Sequence, residues 1–337
     1  MPLRAKWMPT LLLVMALSGC VSTQRFEDWN EAIPKGDCTV RTVIPMQRDG
    51  VSVEHYTADG RLLSGTSPID YGRGWFRRHY DAHGRLIEVT EYEDREHVSF
   101  PCDMVGGCET PASHVVRRQR FFHDEAGRVI REERLEETYR LEDNVYRGDG
   151  PEREQRRYTY DAEGRLVRVE RGGAAHRLEY ADGRLVRSAL ETSHRVKQVT
   201  AKYDSQGRIS ELEDRGCLPK TGQCDEPYHT YRFRHDDAGR LIRQDTLGYK
   251  SDYSEDSLTW EYDGRGLIMA VTRVQVASRT GHVGRSRWEF TYDDLGRLTA
   301  SSVGGQVHQE LSYAGACERV SKPAWNTSVL RYFGIED

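Results

Sequence analysis

Aspartates recur along this sequence three residues before a glycine–arginine pair. They include Asp81, Asp161, Asp204, Asp236 and Asp293. A row of such carboxylates could ligate calcium or sugar hydroxyls, since oxygen donors suit both. The interpretation we favour is structural. An aspartate at the first position of a turn hydrogen-bonds its own backbone two residues on, which accounts for the spacing without a ligand.

Arginines follow the same glycines, and a ladder of guanidinium groups could bind an anionic glycan. We expect them instead to pair with acids on adjacent hairpins, where each exposed pair contributes little to stability. These arginines are Arg61, Arg85, Arg128, Arg165, Arg184, Arg208, Arg240 and Arg297.

The sequence contains no recognisable enzyme motif. The 12 histidines are dispersed without metal-ligand spacing, and His123 and His235 occupy positions where related segments have an aromatic residue. Neither a Gly-x-Ser-x-Gly elbow nor a phosphate-binding glycine-rich loop is present. The sequence therefore predicts no catalytic residue, no metal and no cofactor.

The N-terminus has the composition of a secretory signal peptide. Arg4 and Lys6 precede an apolar run that is too short to span a membrane. Leu17-Ser18-Gly19-Cys20 resembles the lipobox of bacterial lipoproteins, which implies lipidation of Cys20 and cleavage before it. Several acyl chains hold a protein firmly at a membrane. Val21 follows the cysteine, so the resemblance favours the outer membrane of a Gram-negative cell.

Six further cysteines predict disulfides, because an exported chain with an even number of thiols is usually oxidised. Closeness in sequence favours Cys102–Cys108 and Cys217–Cys224, which leaves Cys38 and Cys317 to join the two ends of the domain. The alternative is a metal site, but the spacings of the two close pairs are poor for zinc.

Composition excludes one class of partner. The formal net charge is -5 and the mean hydropathy is -0.76, so a basic surface for nucleic acid is not expected. The abundance of tyrosine and tryptophan in alternating patterns argues for a thin β structure with much surface.

An internal repeat determines the expected fold. Four copies share the pattern Tyr-Asp-x-x-Gly-Arg-(Leu/Ile), and five more vary it. The turn residues of the regular copies are Asp81, Gly84 and Arg85; Asp161, Gly164 and Arg165; Asp204, Gly207 and Arg208; and Asp293, Gly296 and Arg297. The varied copies lie at 56–62, 123–129, 180–185, 235–241 and 262–267.

Each copy predicts a β-hairpin. Asp begins a type I turn, and Gly at the fourth position supplies the positive φ of a G1 bulge. Aromatics alternate before the turn, as in Trp288/Phe290/Tyr292, and β-branched residues follow it, as in 86–89. Lone hairpins are only marginally stable, so neighbouring copies must pair.

The repeated motif resembles the YD repeat of the Rhs family over about residues 50–313. The resemblance implies a twisted or spiralling β-ribbon of antiparallel hairpins. In large members such a ribbon closes into a shell around a toxic C-terminal domain. Nine copies are too few to enclose a cargo, and the chain ends at Asp337 soon after the last repeat. The resemblance therefore supports the fold and weakens a toxin interpretation.

The sequence thus predicts a signal peptide (1–19), a lipidated tether (20–37), an all-β YD-repeat domain (38–320) and a C-terminal tail (321–337). We expect a non-enzymatic binding or scaffold lipoprotein of the cell envelope, with an immunity protein against a secreted toxin as a specific version. The inserts 94–114, 140–155 and 215–228 are the candidate recognition loops. The alternatives are a binder of cell-wall or lipopolysaccharide glycan and an enzyme with an unrecognised site.

Overall fold

The computed structural model describes residues 36–45, 50–69, 72–95, 98–100, 108–110, 113–142, 145–148, 150–219, 221–248, 253–320, 322–323 and 325. They belong to one compact unit, Pro34–Asp337. The signal peptide, the lipidation site Cys20, the tether before residue 36 and Cys102 lie outside the described residues. Within them, no helix is long and apolar enough to cross a membrane.

All regular structure in the described part of the chain is β-strand, so the predicted all-β class is confirmed. The first strands are β1 (Cys38–Val43), β2 (Val51–Tyr56), β3 (Leu62–Ile69), β4 (Gly72–Tyr80), β5 (Leu86–Arg95), β6 (Val98–Phe100), β7 (Cys108–Thr110), β8 (Ser113–His123), β9 (Val129–Glu142), β10 (Val145–Gly148), β11 (Glu152–Tyr160) and β12 (Leu166–Arg171). The others are β13 (Ala174–Ala181), β14 (Arg184–Glu191), β15 (Val196–Tyr203), β16 (Ile209–Cys217), β17 (His229–His235), β18 (Leu241–Gly248), β19 (Tyr253–Tyr262), β20 (Ile268–Ala277), β21 (Val283–Tyr292), β22 (Leu298–Val303) and β23 (Gln306–Gly315).

The main sheet closes on itself. Consecutive strands pair antiparallel along the chain, and β1 pairs with both β2 and β23. Two short strands, β6 and β7, form a separate hairpin between β5 and β8. Leaving out β10, which pairs with β9 alone, twenty strands form the closed ring. Closure pairs each of these twenty strands on both sides and so removes the exposed edges that invite aggregation.

The repeat turns all lie at one end of this ring, which we call the turn end. Each links an arriving strand to the next, beginning with β2–β3 and ending with β21–β22. Register shifts by one residue just before each turn, for example at His79/Tyr80 and Thr159/Tyr160. These shifts are the bulges that the glycine position predicts. The connections between repeats lie at the opposite end, which we call the loop end.

The hydrophobic core is concentrated at the turn end, on one face of the sheet. Phe233, Trp260 and Phe290 on this aromatic face are buried, whereas Glu261 and Glu289 on the other face are exposed. In a closed sheet the buried face is the one turned inward. Further buried members of this cluster are Cys38, Val40, Leu178, Leu185, Leu212, Val271, Leu298, Leu311 and Cys317.

The segment after β23 folds back across the aromatic face. Val320 is 3% exposed, and the Trp325 ring lies 5.0 Å from that of Trp288. Lys322 forms an ion pair with Glu54 on β2. The described residues at the start of the expected tail therefore pack against strands on both sides of the β1–β23 junction.

Candidate recognition surface

The carboxylates of the turn aspartates accept hydrogen bonds from groups within their own turns. In the second copy, Oδ1 of Asp81 accepts the backbone N–H groups of His83 and Arg85, each at 2.9 Å. Oδ2 accepts the Nε–H of Arg85 at 2.6 Å. Gly84 follows with φ of 76°, which favours glycine. Both carboxylate oxygens have partners, so this row lacks the geometry of a calcium or sugar site.

The expected pairing of the turn arginines with acids on adjacent hairpins is wrong. Arg85, Arg165, Arg208 and Arg297 each pair with the aspartate of their own turn, four residues earlier. The reason is local geometry: the turn and its bulge bring the arginine back alongside the aspartate four residues earlier. In the permuted copy, Gly266 supplies the positive φ of 85° and Arg265 reaches Asp263.

The same arginines also join one repeat to the next. Arg165 lies over the ring of Tyr180 in the following copy, 5.0 Å from its centroid, and the Tyr180 hydroxyl donates to the carbonyl of Leu166 at 3.0 Å. This tyrosine hydrogen bond recurs seven times: Tyr80 to Leu62, Tyr160 to Val129, Tyr180 to Leu166, Tyr203 to Leu185, Tyr262 to Leu241, Tyr292 to Ile268 and Tyr313 to Leu298. The Tyr, Asp, Gly, Arg and Leu of the motif thus all have structural roles.

Histidine breaks this chain of tyrosine contacts at two positions. His123 and His235 end β8 and β17 where other copies have tyrosine. At the second break, Arg208 donates instead to the carbonyl of Asp236 at 2.9 Å. Burial, followed by the nearby Arg208, lowers the pKa of His235, which favours its neutral form. Among the described residues, no group of three or more His, Cys, Asp or Glu side chains could hold a metal ion.

Acid should destabilise the ring through its turns. The backbone N–H of Arg85, helped by its guanidinium, holds the pKa of Asp81 at about 2, and equivalent bonds lower the pKa of Asp204 and Asp236. A carboxyl whose pKa is lower in the folded state stabilises above its unfolded pKa and loses that contribution as pH falls through the folded value. We therefore expect the melting temperature to fall between about pH 4 and pH 2.

The control for this prediction is a variant that preserves the turns but lacks their ionisable carboxyl groups. The triple variant Asp81→Asn/Asp204→Asn/Asp236→Asn retains an oxygen acceptor in each turn but has three fewer ionisable groups. Its melting temperature should fall less steeply over the same pH range, measured by circular dichroism. Parallel curves for the two proteins would show that the turns do not cause the acid sensitivity.

Two of the expected disulfides are present. Cys38 is bonded to Cys317, which joins the start of β1 to the residues just after β23. Cys217 is bonded to Cys224 and closes a short loop between β16 and β17. The third expected pair, Cys102–Cys108, includes a residue outside the described ones and stays a prediction.

The loop end carries the three predicted recognition inserts. Inserts 94–114, 140–155 and 215–228 follow β5, β9 and β16, so they leave the ring at the same end. Six of the ten large apolar side chains exposed among the described residues also lie there, within two residues of a strand end. They are Val51, Leu190, Leu218, Leu247, Val283 and Val307. Exposed apolar residues grouped at one end of a molecule are typical of a protein-binding surface.

A polar cluster lies beside the Cys217–Cys224 loop. Arg195, between β14 and β15, hydrogen-bonds the hydroxyl of Tyr228 and lies over its ring, 4.9 Å from the centroid. Tyr228 also donates to Asp225 at 2.8 Å. Leu218 in the same loop is 55% exposed. Sequence reasoning missed Arg195 because it lies outside the inserts, and no spacing signal connects it to Tyr228.

A closed sheet of tyrosine–aspartate hairpins defines a YD-repeat protein, as the sequence pattern predicts. The chain belongs to the Teneurin YD-shell family, whose model matches residues 136–314, just over half of the chain. The predicted relation to YD-repeat proteins is thereby confirmed. No curated protein matches the chain in sequence.

Solved structures resemble the chain only distantly. The TcdB2–TccC3 complex without its hypervariable C-terminal region is 15% identical, with a TM-score of 0.30, over 82% of this chain and 16% of that one. The Photorhabdus luminescens Tc holotoxin pore is 15% identical, with a TM-score of 0.29, over 78% and 15%. A porin-like protein from Bacteroides uniformis is 10% identical, with a TM-score of 0.28, over 82% and 95%. The chain thus spans about a sixth of the two toxin chains.

Proposed function

We propose that this YD-repeat protein is a lipid-anchored, non-enzymatic binding scaffold of the cell envelope, and that its loop end binds a protein partner. The proposal rests on the difference between the two ends of the ring. Side chains at the turn end are used within and between the repeats, whereas the loop end collects the inserts, a stapled loop and most of the exposed apolar residues.

Chain direction supports this arrangement. β1 begins at Cys38, which pairs with Tyr56 beside the first repeat turn. A tether ending there enters the domain at the turn end. The turn end is opposite the recognition loops, so the start of β1 does not obstruct the loop end. An outer-membrane address, given by Val21 after the cysteine, belongs to the same proposal.

The anchor is tested separately from the binding surface. Cells expressing the wild-type chain should incorporate labelled palmitate into it and retain it in the membrane fraction. The Cys20→Ala variant should lose both the label and the membrane association. Release of the wild-type protein into the soluble fraction would refute the anchor and leave the binding proposal intact.

The binding surface is tested by affinity capture with matched variants. The chain from residue 20, carrying Cys20→Ala, is incubated with secreted and envelope fractions of its own strain. We expect one stoichiometric protein, and about tenfold less of it with Leu218→Asp or Val283→Asp, because a charge in a desolvated contact is costly. Met269→Asp is the control, since Met269 is also exposed but lies near the turn end. Equal loss with all three variants would contradict a loop-end site.

The identity of the captured partner distinguishes an immunity role from an assembly role and from glycan binding. An immunity function requires that the partner be a toxin and that expression of the chain protect sensitive cells from it. A partner that is an envelope component would instead favour an assembly role. Capture of wall or lipopolysaccharide fragments in place of a protein would favour the glycan-binding alternative.

A further inference from the structure

We propose that the outward face of β8, β9 and β11 contains a binding site for a phosphate monoester, formed chiefly by Arg118 and Arg153. A cavity of about 400 Å³ lies here, and both arginines line it. The site lies away from the repeat turns, and Arg153 belongs to the last residues of insert 140–155. It adds a second ligand class to the proposed scaffold.

Strand register places the two arginines on either side of an apolar residue. Arg118 pairs with Leu135, and Leu135 pairs with Arg153 on the next strand. Adjacent strands lie roughly 4.8 Å apart, so the two Cα atoms are separated by about 10 Å. The long side chains can therefore converge on one anion above Leu135, and guanidinium groups suit the bidentate geometry of phosphate.

These two arginines differ from others on the outward face. Arg120, Arg168 and Arg177 pair with Glu88, Glu170 and Glu191 at 2.8, 2.7 and 3.1 Å. Neither Arg118 nor Arg153 has an ion-pair partner within the part of the chain that the structure describes. Two unpaired cations flank an apolar residue in a chain with net charge -5, an arrangement that an anion would stabilise.

The carboxylates near the cavity are already paired. Glu133 lines it but lies 3.6 Å from Arg131, and Glu154 forms an ion pair with Arg171. Arg120 also lines the cavity from the outward face, whereas Arg134 and Glu154 pair with each other one position along from Leu135 and Arg153, so their side chains lie on the inward face. On the outward face the lining therefore has three arginines against the carboxylate of Glu133, and this excess of positive charge selects a multiply charged anion over a sugar hydroxyl or a cation.

Inorganic phosphate and phosphatidate vesicles probe the site. Isothermal titration calorimetry at constant low ionic strength should detect phosphate binding to the Cys20→Ala chain. Arg118→Gln and Arg153→Gln should each weaken it about tenfold, because each removes a charge-assisted contact. Arg285→Gln removes the same charge from an exposed position on β21 and should leave the affinity unchanged, as should the loop-end variant Val283→Asp.

A vesicle arm distinguishes a lipid headgroup from a soluble ligand. Cosedimentation compares phosphatidylcholine vesicles containing phosphatidate with vesicles containing the same fraction of phosphatidylglycerol, whose phosphate is a diester. Binding to phosphatidate that both arginine variants lose would identify a lipid headgroup, and binding of inorganic phosphate alone would identify a soluble phosphate. No binding of either probe would overturn the proposal, as would equal binding by wild type and both variants with native circular dichroism spectra.

Discussion

Replacing Cys38 and Cys317 together by alanine should lower the free energy of unfolding by about 5 kcal/mol. The bond closes a loop with a sequence separation of 279 residues, and in the chain-entropy model the stabilisation grows with the logarithm of loop length. The bond also lies where the first and last strands of the ring pair. Urea unfolding followed by tryptophan fluorescence measures the loss, and both cysteines are changed so that no free thiol remains.

The second disulfide supplies a matched control. Cys217 and Cys224 are 7 residues apart, so the same double replacement by alanine should cost only about 2–3 kcal/mol. Its effect should be confined to the loop end, and the turn end should stay intact. Equal losses for the two double variants would mean that loop closure does not determine the contribution of the longer bond.

Leu212→Ala should lower the free energy of unfolding by about 2–5 kcal/mol, because it leaves a cavity in a fully buried site. Leu212 is 0% exposed on the aromatic face, opposite Ala201 and Tyr231. Its environment is the cluster at the turn end that holds the repeats together.

Leu190→Ala is the corresponding control on the same face. Leu190 pairs with His176 near the loop end and is 41% exposed. We expect its replacement to change stability by only about 0.5 kcal/mol, as for most surface positions. Similar losses for both leucines in urea unfolding would show that the core extends along the whole strand, contrary to the observed burial.

The hairpins could be predicted because their cause is local. Asp and Gly at fixed positions specify the turn, and alternating aromatics such as Trp288 and Phe290 specify the buried face of the arriving strand. The remaining disulfide followed from elimination among six cysteines. Each of these inferences needs only residues that are close in sequence, or a small set of thiols.

Closure of the sheet could not be predicted, because β1 carries no repeat motif and its partner β23 is far away in sequence. The pairing of the turn arginines was predicted wrongly, since both a neighbouring hairpin and the arginine's own turn offer acids. Only the bulge decides between them, as the contact of Arg85 with Asp81 illustrates. Arg195 and Tyr228 meet through tertiary structure alone, and Trp325 gave no periodic signal.

The ring of twenty antiparallel strands limits how the number of strands can change in evolution. Neighbouring strands must alternate in direction all the way round, so only an even number can close, and each repeat contributes two. Duplication or loss of a whole repeat preserves this parity, whereas insertion or deletion of a single strand leaves two neighbours running the same way. Lineages related to this chain should therefore change circumference in steps of one entire repeat, and the junction between β1 and β23 should remain the place where the circle is sealed.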